Sequence, residues 1–397
     1  MKLVALLATS AALSAPANAA ILNATGANLR AVFNIAQAGD TIKVTGNVGT
    51  LALKNRLFSR TVILDATNAT FSDSLSINGV SNLTILNGTF GSWTQSMRTS
   101  AAIGVYDSSG VVITKSKFIG NGTGVAIRMG GVTKSAISAA LVNGFKAGIG
   151  LTSVTDTRIS SSRFVNMTSD GINIADSHRI EATTNSCYGS KPSLGAHPDC
   201  IQLWSIAGRP MISDITLSNN TVTGATQGLA LFDGGGIRIK IIDNIINTSY
   251  PQGIACYDCY DSTITGNVLT TLPGSRWRTS INIVGGANNT VANNVVTPKG
   301  VTLLASGSNS FDGEPGLDSK TLPDWMMEDF LAAQQFGLSA KPGIVSGDER
   351  LALSGAGFGS AAAVPEAATW AQLILGFGII GAVRRRTRRP IDGALQG

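Results

Sequence analysis

The densest group of chemically capable side chains in the 397-residue sequence is His197-Pro198-Asp199-Cys200-Ile201-Gln202-Leu203-Trp204. His197 is one of only two histidines, and it stands beside a carboxylate able to raise its pKa and orient its ring. Asp170 opens a similar run, Asp170-Gly171-Ile172-Asn173-Ile174. If the two runs stack, Asp170 and Asp199 approach within several ångström. Like charges that close share a proton, which raises one pKa, or hold a cation. Asp170 and Asp199 are therefore candidate catalytic groups and candidate calcium ligands, and no other cofactor is indicated. In a glycoside hydrolase one carboxyl protonates the leaving oxygen while the other activates water, at ~6.5 to 9.5 Å in an inverting pair. In a polysaccharide lyase a base removes the proton beside a uronate carboxylate. His197 and Lys191 are candidates for that base, and Asn173, Gln202 and Arg278 are donors suited to neutralising the carboxylate.

These residues must be held by something regular, and an internal repeat supplies it. Short apolar strands recur at 102–105, 124–127, 148–151, 171–174, 200–203, 228–231, 253–256 and 280–283, with 22 to 29 residues between starts. Each unit holds a further alternating run, such as Arg158-Ile159-Ser160 or Ile215-Thr216-Leu217, so a repeat is a coil of two or three strands. With 46 glycines, 14% charged residues and no long amphipathic helix pattern, an all-β right-handed parallel β-helix over residues 20–305 fits best. Asn185, Asn220, Asn244, Asn267 and Asn294 fall at similar points of five coils, as an asparagine ladder in a turn requires. Leu29, Val32, Phe33 and Ala36 have helical spacing within 27–38, which predicts an N-terminal capping helix. Pro323 to Phe336 suits a small helix over the other end, and the Gly/Ala/Ser-rich stretch that follows completes a cap and spacer at 306–363.

Aligning the repeats sorts outward side chains into columns. The fifth position reads Tyr106, Arg128, Thr152, Ala175, Trp204, Phe232, Tyr257, Val284, which predicts an exposed stripe of Trp204, Phe232 and Tyr257 suited to stacking on sugar rings. The position before each strand reads Asp170, Asp199, Gln227, Gln252, Thr279. The repeat is longest before Cys200, where 188–198 is inserted, and insertions in a solenoid decorate its working face. Four cysteines in an exported chain suggest oxidation; the expected bridges are Cys187 with Cys200 and Cys256 with Cys259, zinc being the less favoured alternative.

Both ends read as removable signals. Lys2, the apolar run Leu3 to Leu13 and Ala17-Asn18-Ala19 form a secretory signal peptide over 1–19. Thr369 to Val383 is apolar and is followed by Arg384, Arg385, Arg386, Arg388 and Arg389, a basic stop after a segment short of the ~20 residues of a full span. Without Lys2, those arginines and Asp392, 24 basic and 23 acidic residues remain, so the formal charge of +6 is no argument for nucleic-acid binding. The residues Val364 to Arg386, VPEAATWAQLILGFGIIGAVRRR, resemble the PEP-CTERM sorting signal of Gram-negative bacteria, with Pro365, Glu366 and Trp370 matching and Ala367 in place of its second proline. That resemblance implies a hydrophobic sorting helix at 364–389, processing by signal peptidase and an exosortase, transient residence in the inner membrane, and delivery to the cell surface or outside.

Residues 27–305 resemble the pectin-lyase-like superfamily, whose scaffold carries lyases, hydrolases, epimerases and adhesins alike. Ser169-Asp170-Gly171-Ile172 and Pro198-Asp199-Cys200-Ile201 are similar to the Asn-Thr-Asp and Asp-Asp-Cys motifs of polygalacturonases. Pro198 replaces the first Asp of the double motif and no Gly-His-Gly follows, so standard polygalacturonase activity is not expected. Ile237-Arg238-Ile239-Lys240 matches that family's Arg-Ile-Lys but falls in what reads as an alternating strand. The leading expectation is a surface polysaccharide lyase or glycoside hydrolase acting on an acidic polysaccharide or exopolysaccharide. The rival is a noncatalytic polysaccharide-binding matrix protein or adhesin, with ice binding a distant third.

Overall fold

Apolar residues at every second position, interrupted by short polar turns, give strands that cannot bury one face alone and so stack. In the computed structural model, which describes residues 19–91, 101–193, 198–297, 301–304 and 310–311, every strand pairing is parallel and joins one coil to the next. Most coils contain three strands. The first sheet holds Ala101–Tyr106, Val125–Gly130, Ala147–Thr152, Ile172–Ala175, Asp199–Trp204, Gln227–Asp233, Gln252–Tyr257 and Ser280–Val284. These are the eight repeated units of the sequence. The second sheet runs through Ser109–Thr114, Thr155–Ser160, His178–Thr183 and Ile212–Ser218; the third runs through Lys117–Ile119, Arg163–Val165, Ser186–Tyr188 and Ile245–Thr248.

One apolar core fills the coil from Ala24 to Val291. Phe71, Phe90 and Phe118 stack in its third-sheet wall, with ring centroids 4.6 and 5.3 Å apart. The helix Leu29–Ile35 lies at the N-terminal end with Leu29 and Phe33 buried. It is shorter than the expected 27–38. Arg56 donates to the carbonyls of Asn34 and Ala36, and Arg60 to that of Ala38, which satisfies acceptors left open where a helix ends.

The turn from second to third sheet places a residue at positive φ and then an asparagine: Asn219-Asn220, Asp243-Asn244 and Asn293-Asn294 are examples. From Asn220 through Asn244 and Asn267 to Asn294, each asparagine Oδ1 accepts from the backbone N–H and the Nδ2 of the asparagine one coil earlier, Asn185 being the first donor, at 2.8 to 3.1 Å.

A second ladder runs along the second sheet. Arg238 does not continue a strand, as the alternating Ile237-Arg238-Ile239-Lys240 suggested; it sits at positive φ between Gly236–Ile237 and Lys240–Ile242. Asp156, Arg179, Asp214 and Asp261 share that conformation, one per coil. Arg179 grips Asp156 at 2.6 and 3.0 Å, and Arg238 grips Asp214 at 2.6 and 2.7 Å. The bond from Arg238, with help from Ser213, holds the Asp214 carboxyl down to about 2 from an ordinary 3.8. A carboxylate depressed in the folded chain stabilises it above its unfolded pKa, and that contribution disappears as pH falls through about 2. The pair is exposed, so the effect is modest. In acid titrations followed by circular dichroism, Asp214→Asn is expected to flatten the loss of stability below roughly pH 4 while lowering stability at neutral pH.

The expected signal peptide, apart from its last residue, lies outside the described residues. So do the helix expected at 323–336 and Pro365, Glu366 and Trp370 of the sorting segment. Among the described residues no helix is long and apolar enough to cross a membrane.

Candidate functional site

The longest connections of the described coils after Ala101, 189–198 and 272–279, both lead from the third sheet into the first. The corner between the third and first sheets is therefore the one the chain elaborates. Ile172 pairs with Ile201, which puts Asp170 and Asp199 one rung apart, ~4.8 Å along the axis. The backbone N–H of Asp199 donates to Asp170 Oδ1 at 3.1 Å, and Ser169 Oγ donates to the same oxygen at 3.3 Å. Asn173 Nδ2 bridges Asp170 Oδ2 at 3.3 Å and Gln202 Oε1 at 2.7 Å, while Trp204 Nε1 donates to Asn173 Oδ1 at 2.6 Å. Asp170, Asp199, Asn173, Gln202 and Trp204 thus form one cluster, with both carboxylates buried.

The neighbouring connection is tied at its base. Cys187 is bonded to Cys200 across 189–198, and Cys256 to Cys259. All four sulfurs lie in the coil's core, and as disulfides they offer no thiolates to zinc. Lys191 is held through its backbone N–H on Met167 O at 2.8 Å, with its side chain exposed. Arg278 is also exposed. His197 lies outside the described residues. Among the described residues no three His, Cys, Asp or Glu side chains gather as a metal site would require.

The exposed aromatic stripe expected of Trp204, Phe232 and Tyr257 is corrected by the structure. A bulge after Leu203 pairs Trp204 with Asp233, so Phe232 is not its rung neighbour. Phe232 and Tyr257 are buried at 3% and 2% exposure and meet edge to face at 5.3 Å, forming with Ala230 and Ala255 a small apolar cluster outside the main core. Ala230 and Ala255 give the two rings an apolar floor, and at this burial neither ring offers an open face to a sugar. Burial pushes the Tyr257 phenol far above its usual range. Gln227 pairs with Asp199 one rung on and is likewise buried, as are Gln252 and Thr279.

Arg128 is the residue whose place the sequence pattern missed. Val125-Ala126-Ile127 mimics the apolar unit, but the inward pair is Ile127 and Met129, because Ile127 pairs with Ile103 and Met129 with Val105. Arg128 therefore leaves the Tyr106 column, where Gly130 stands, and joins Gly104, Gly150, Asn173 and Gln202. Its guanidinium is half-buried, and burial pulls its pKa below the usual range, with the neighbouring Tyr106 opposing.

The family described as "Right handed beta helix region" matches residues 147–314. The chain is a right-handed parallel β-helix. No curated protein sequence matches it. Solved structures of similar shape include DFA-IIIase from Arthrobacter chlorophenolicus A6 in complex with GF2, at 9% identity over 78% of this chain and 97% of that one, with a TM-score of 0.48. Alginate lyase from Paenibacillus sp. str. FPU-7 follows at 14% identity over 73% and 99%, with a TM-score of 0.40. PfbA, a surface adhesin of Streptococcus pneumoniae, is 12% identical over 70% and 80%, with a TM-score of 0.43. Similarity at this level carries over no activity.

Proposed function

We propose that this chain is an exported, carbohydrate-active protein that works on an acidic polysaccharide or exopolysaccharide laid along the outer face of the first sheet, as a lyase or a glycoside hydrolase. The observation that carries the reading is the Asp170/Asp199 pair on successive rungs, with the Asp170 carboxylate bound to the Asp199 backbone N–H and to Asn173, which links it to Gln202 and Trp204, beside the disulfide-tied connection. A rung of ~4.8 Å is close to the length of one sugar unit, so side chains on successive rungs meet successive units. Export rests on the signal peptide at 1–19 and on the terminal segment 364–389, which together direct the chain to the cell surface or the medium.

Burial of Asp170 and Asp199 in this conformation favours a second reading, a matrix protein that binds polysaccharide without cleaving it. Incubating the purified protein with uronate-containing and neutral polysaccharides, with and without calcium, separates the two. A gain in unsaturated-product absorbance identifies a lyase, and reducing ends without it identify a hydrolase. Retention on immobilised polysaccharide with no product supports the binder. Silence in product and retention alike overturns the carbohydrate reading.

A further inference from the structure

The N-terminal corner of the coil combines exposed apolar side chains with an excess of positive charge. Leu57, Ile35 and Ile21 are 81%, 67% and 63% exposed, more than any other large apolar side chain among the described residues. Arg56 brings the first two together: its guanidinium donates to the carbonyls of Asn34 and Ala36, on either side of Ile35, and Leu57 follows it in the chain. Arg60 donates to Ala38 O and lies against Gly39, in the turn that leads to Thr41, and Thr41 is the partner of Ile21 in the strand ladder. A cleft lined by Arg30, Asn34, Ala52 and Lys54 continues the surface between the helix Leu29–Ile35 and the strand Leu51–Phe71. Residues 20–64 hold five basic side chains and one acid, Asp40. Asp40 is buried and accepts from the N–H groups of Ala20 and Gln37, and Lys43 stands opposite Asp65 on the next rung. Arg30, Lys54, Arg56 and Arg60 therefore surround the three apolar side chains with net positive charge.

We infer that this corner docks on an anionic lipid bilayer, whatever the first sheet binds. Exposed aliphatic side chains enter the headgroup region of a bilayer, and basic side chains around them are drawn by its negative surface potential. A soluble polyanion would use the charge and leave Leu57 in water, and a second copy of the chain would set like charge against like. The apolar run Leu3 to Leu13 joins the fold at this same corner, through Ala19 and Ala20 beside Ile21, so a chain held in a bilayer by that run presents the corner to it. Asp170 and Asp199 remain clear of the lipid. The first-sheet ladder runs from Leu51 through Leu75, Ile103, Ile127 and Ile149 to Ile172, which is roughly 24 Å along the axis at ~4.8 Å per rung.

An environment-sensitive fluorophore on Leu57→Cys reads the docking in the full chain, whose native cysteines are held in disulfides. A label on Ile245→Cys, also exposed but on the third sheet, is the control, because the terminal apolar runs bring the chain to any vesicle. On vesicles of phosphatidylcholine mixed with phosphatidylglycerol, the Leu57 label is expected to shift to the blue and to be shielded from a soluble quencher, while the Ile245 label stays in water. Substituting Arg30→Gln and Lys54→Gln together is expected to lower the ratio of docked to free corner about 25-fold, at about fivefold for each basic side chain. Both are exposed, so the fold is retained, as an unchanged circular dichroism spectrum checks. An unshifted Leu57 label overturns the inference, as do equal shifts at both labels or an equal Leu57 shift on pure phosphatidylcholine. The same shift produced by soluble polygalacturonate without vesicles assigns the corner to a polysaccharide, and one that grows with protein concentration alone assigns it to a second copy. Either result also overturns lipid docking. None of these outcomes touches cleavage or retention of polysaccharide by the first sheet, so the two readings fail separately.

Discussion

Asp199→Asn is expected to cut turnover on the chain's polysaccharide by on the order of 10²- to 10⁴-fold, the range general acid–base groups supply, while retention on that polysaccharide persists. The substitution keeps the shape of the side chain and its place in the rung with Ile201 and Gln227. Asp170 continues to accept from the backbone N–H of residue 199, so the neighbouring carboxylate is not released. The second carboxylate is expected to behave alike: Asp170→Asn removes a charge from the same pair, and the double substitution costs little more than either single one, because groups that act as a unit lose their function once. Unchanged turnover in Asp199→Asn, with retention preserved, places the chemistry away from this carboxylate pair.

Asn244→Ala should cost about 4 kcal/mol of stability, because several buried groups lose partners at once and each carries its own penalty of ~1–3 kcal/mol. Asn244 Nδ2 donates to Leu217 O, Ile242 O and Asn267 Oδ1, and its Oδ1 accepts from Asn220 N and Nδ2. All this occurs at a residue with no exposure. Asn294→Ala, at the partly buried end of the ladder, is expected to cost less than half as much. Equilibrium denaturation of the two variants checks the gradient from middle to end. Equal costs would mean that the asparagines act singly and not as a hydrogen-bonded column.

The architecture was legible because its code is local. Alternation places Ile172, Ile174, Ile201 and Leu203 inside, and recurrence of asparagine at similar points of five coils marks the ladder. The pairing of Asp170 with Asp199 followed from repeat alignment alone. Register was harder where a unit offered two apolar frames: Val125 and Ile127 match the pattern as well as Ile127 and Met129, and only the pairing with Ile103 and Val105 decides where Arg128 stands. A single bulged residue, Phe232, broke the aromatic column, and a bulge has no signature in an apolar run. The burial of Phe232 and Tyr257 depends on what lies over the sheet, which strand periodicity does not encode. The alternating charges of Asp156, Arg179, Asp214 and Arg238 lie more than twenty residues apart in sequence and become a ladder only once the coils stack.

The most direct measurement of the central claim is hydrogen exchange of the whole chain with and without a polysaccharide that it retains. The account predicts slowed exchange in 166–171 and 189–198 and at the outer edges of Ala147–Thr152, Ile172–Ala175 and Asp199–Trp204, with the second-sheet charge ladder unaffected. Protection confined to the second or third sheet, with none around Asp170 and Asp199, would contradict it.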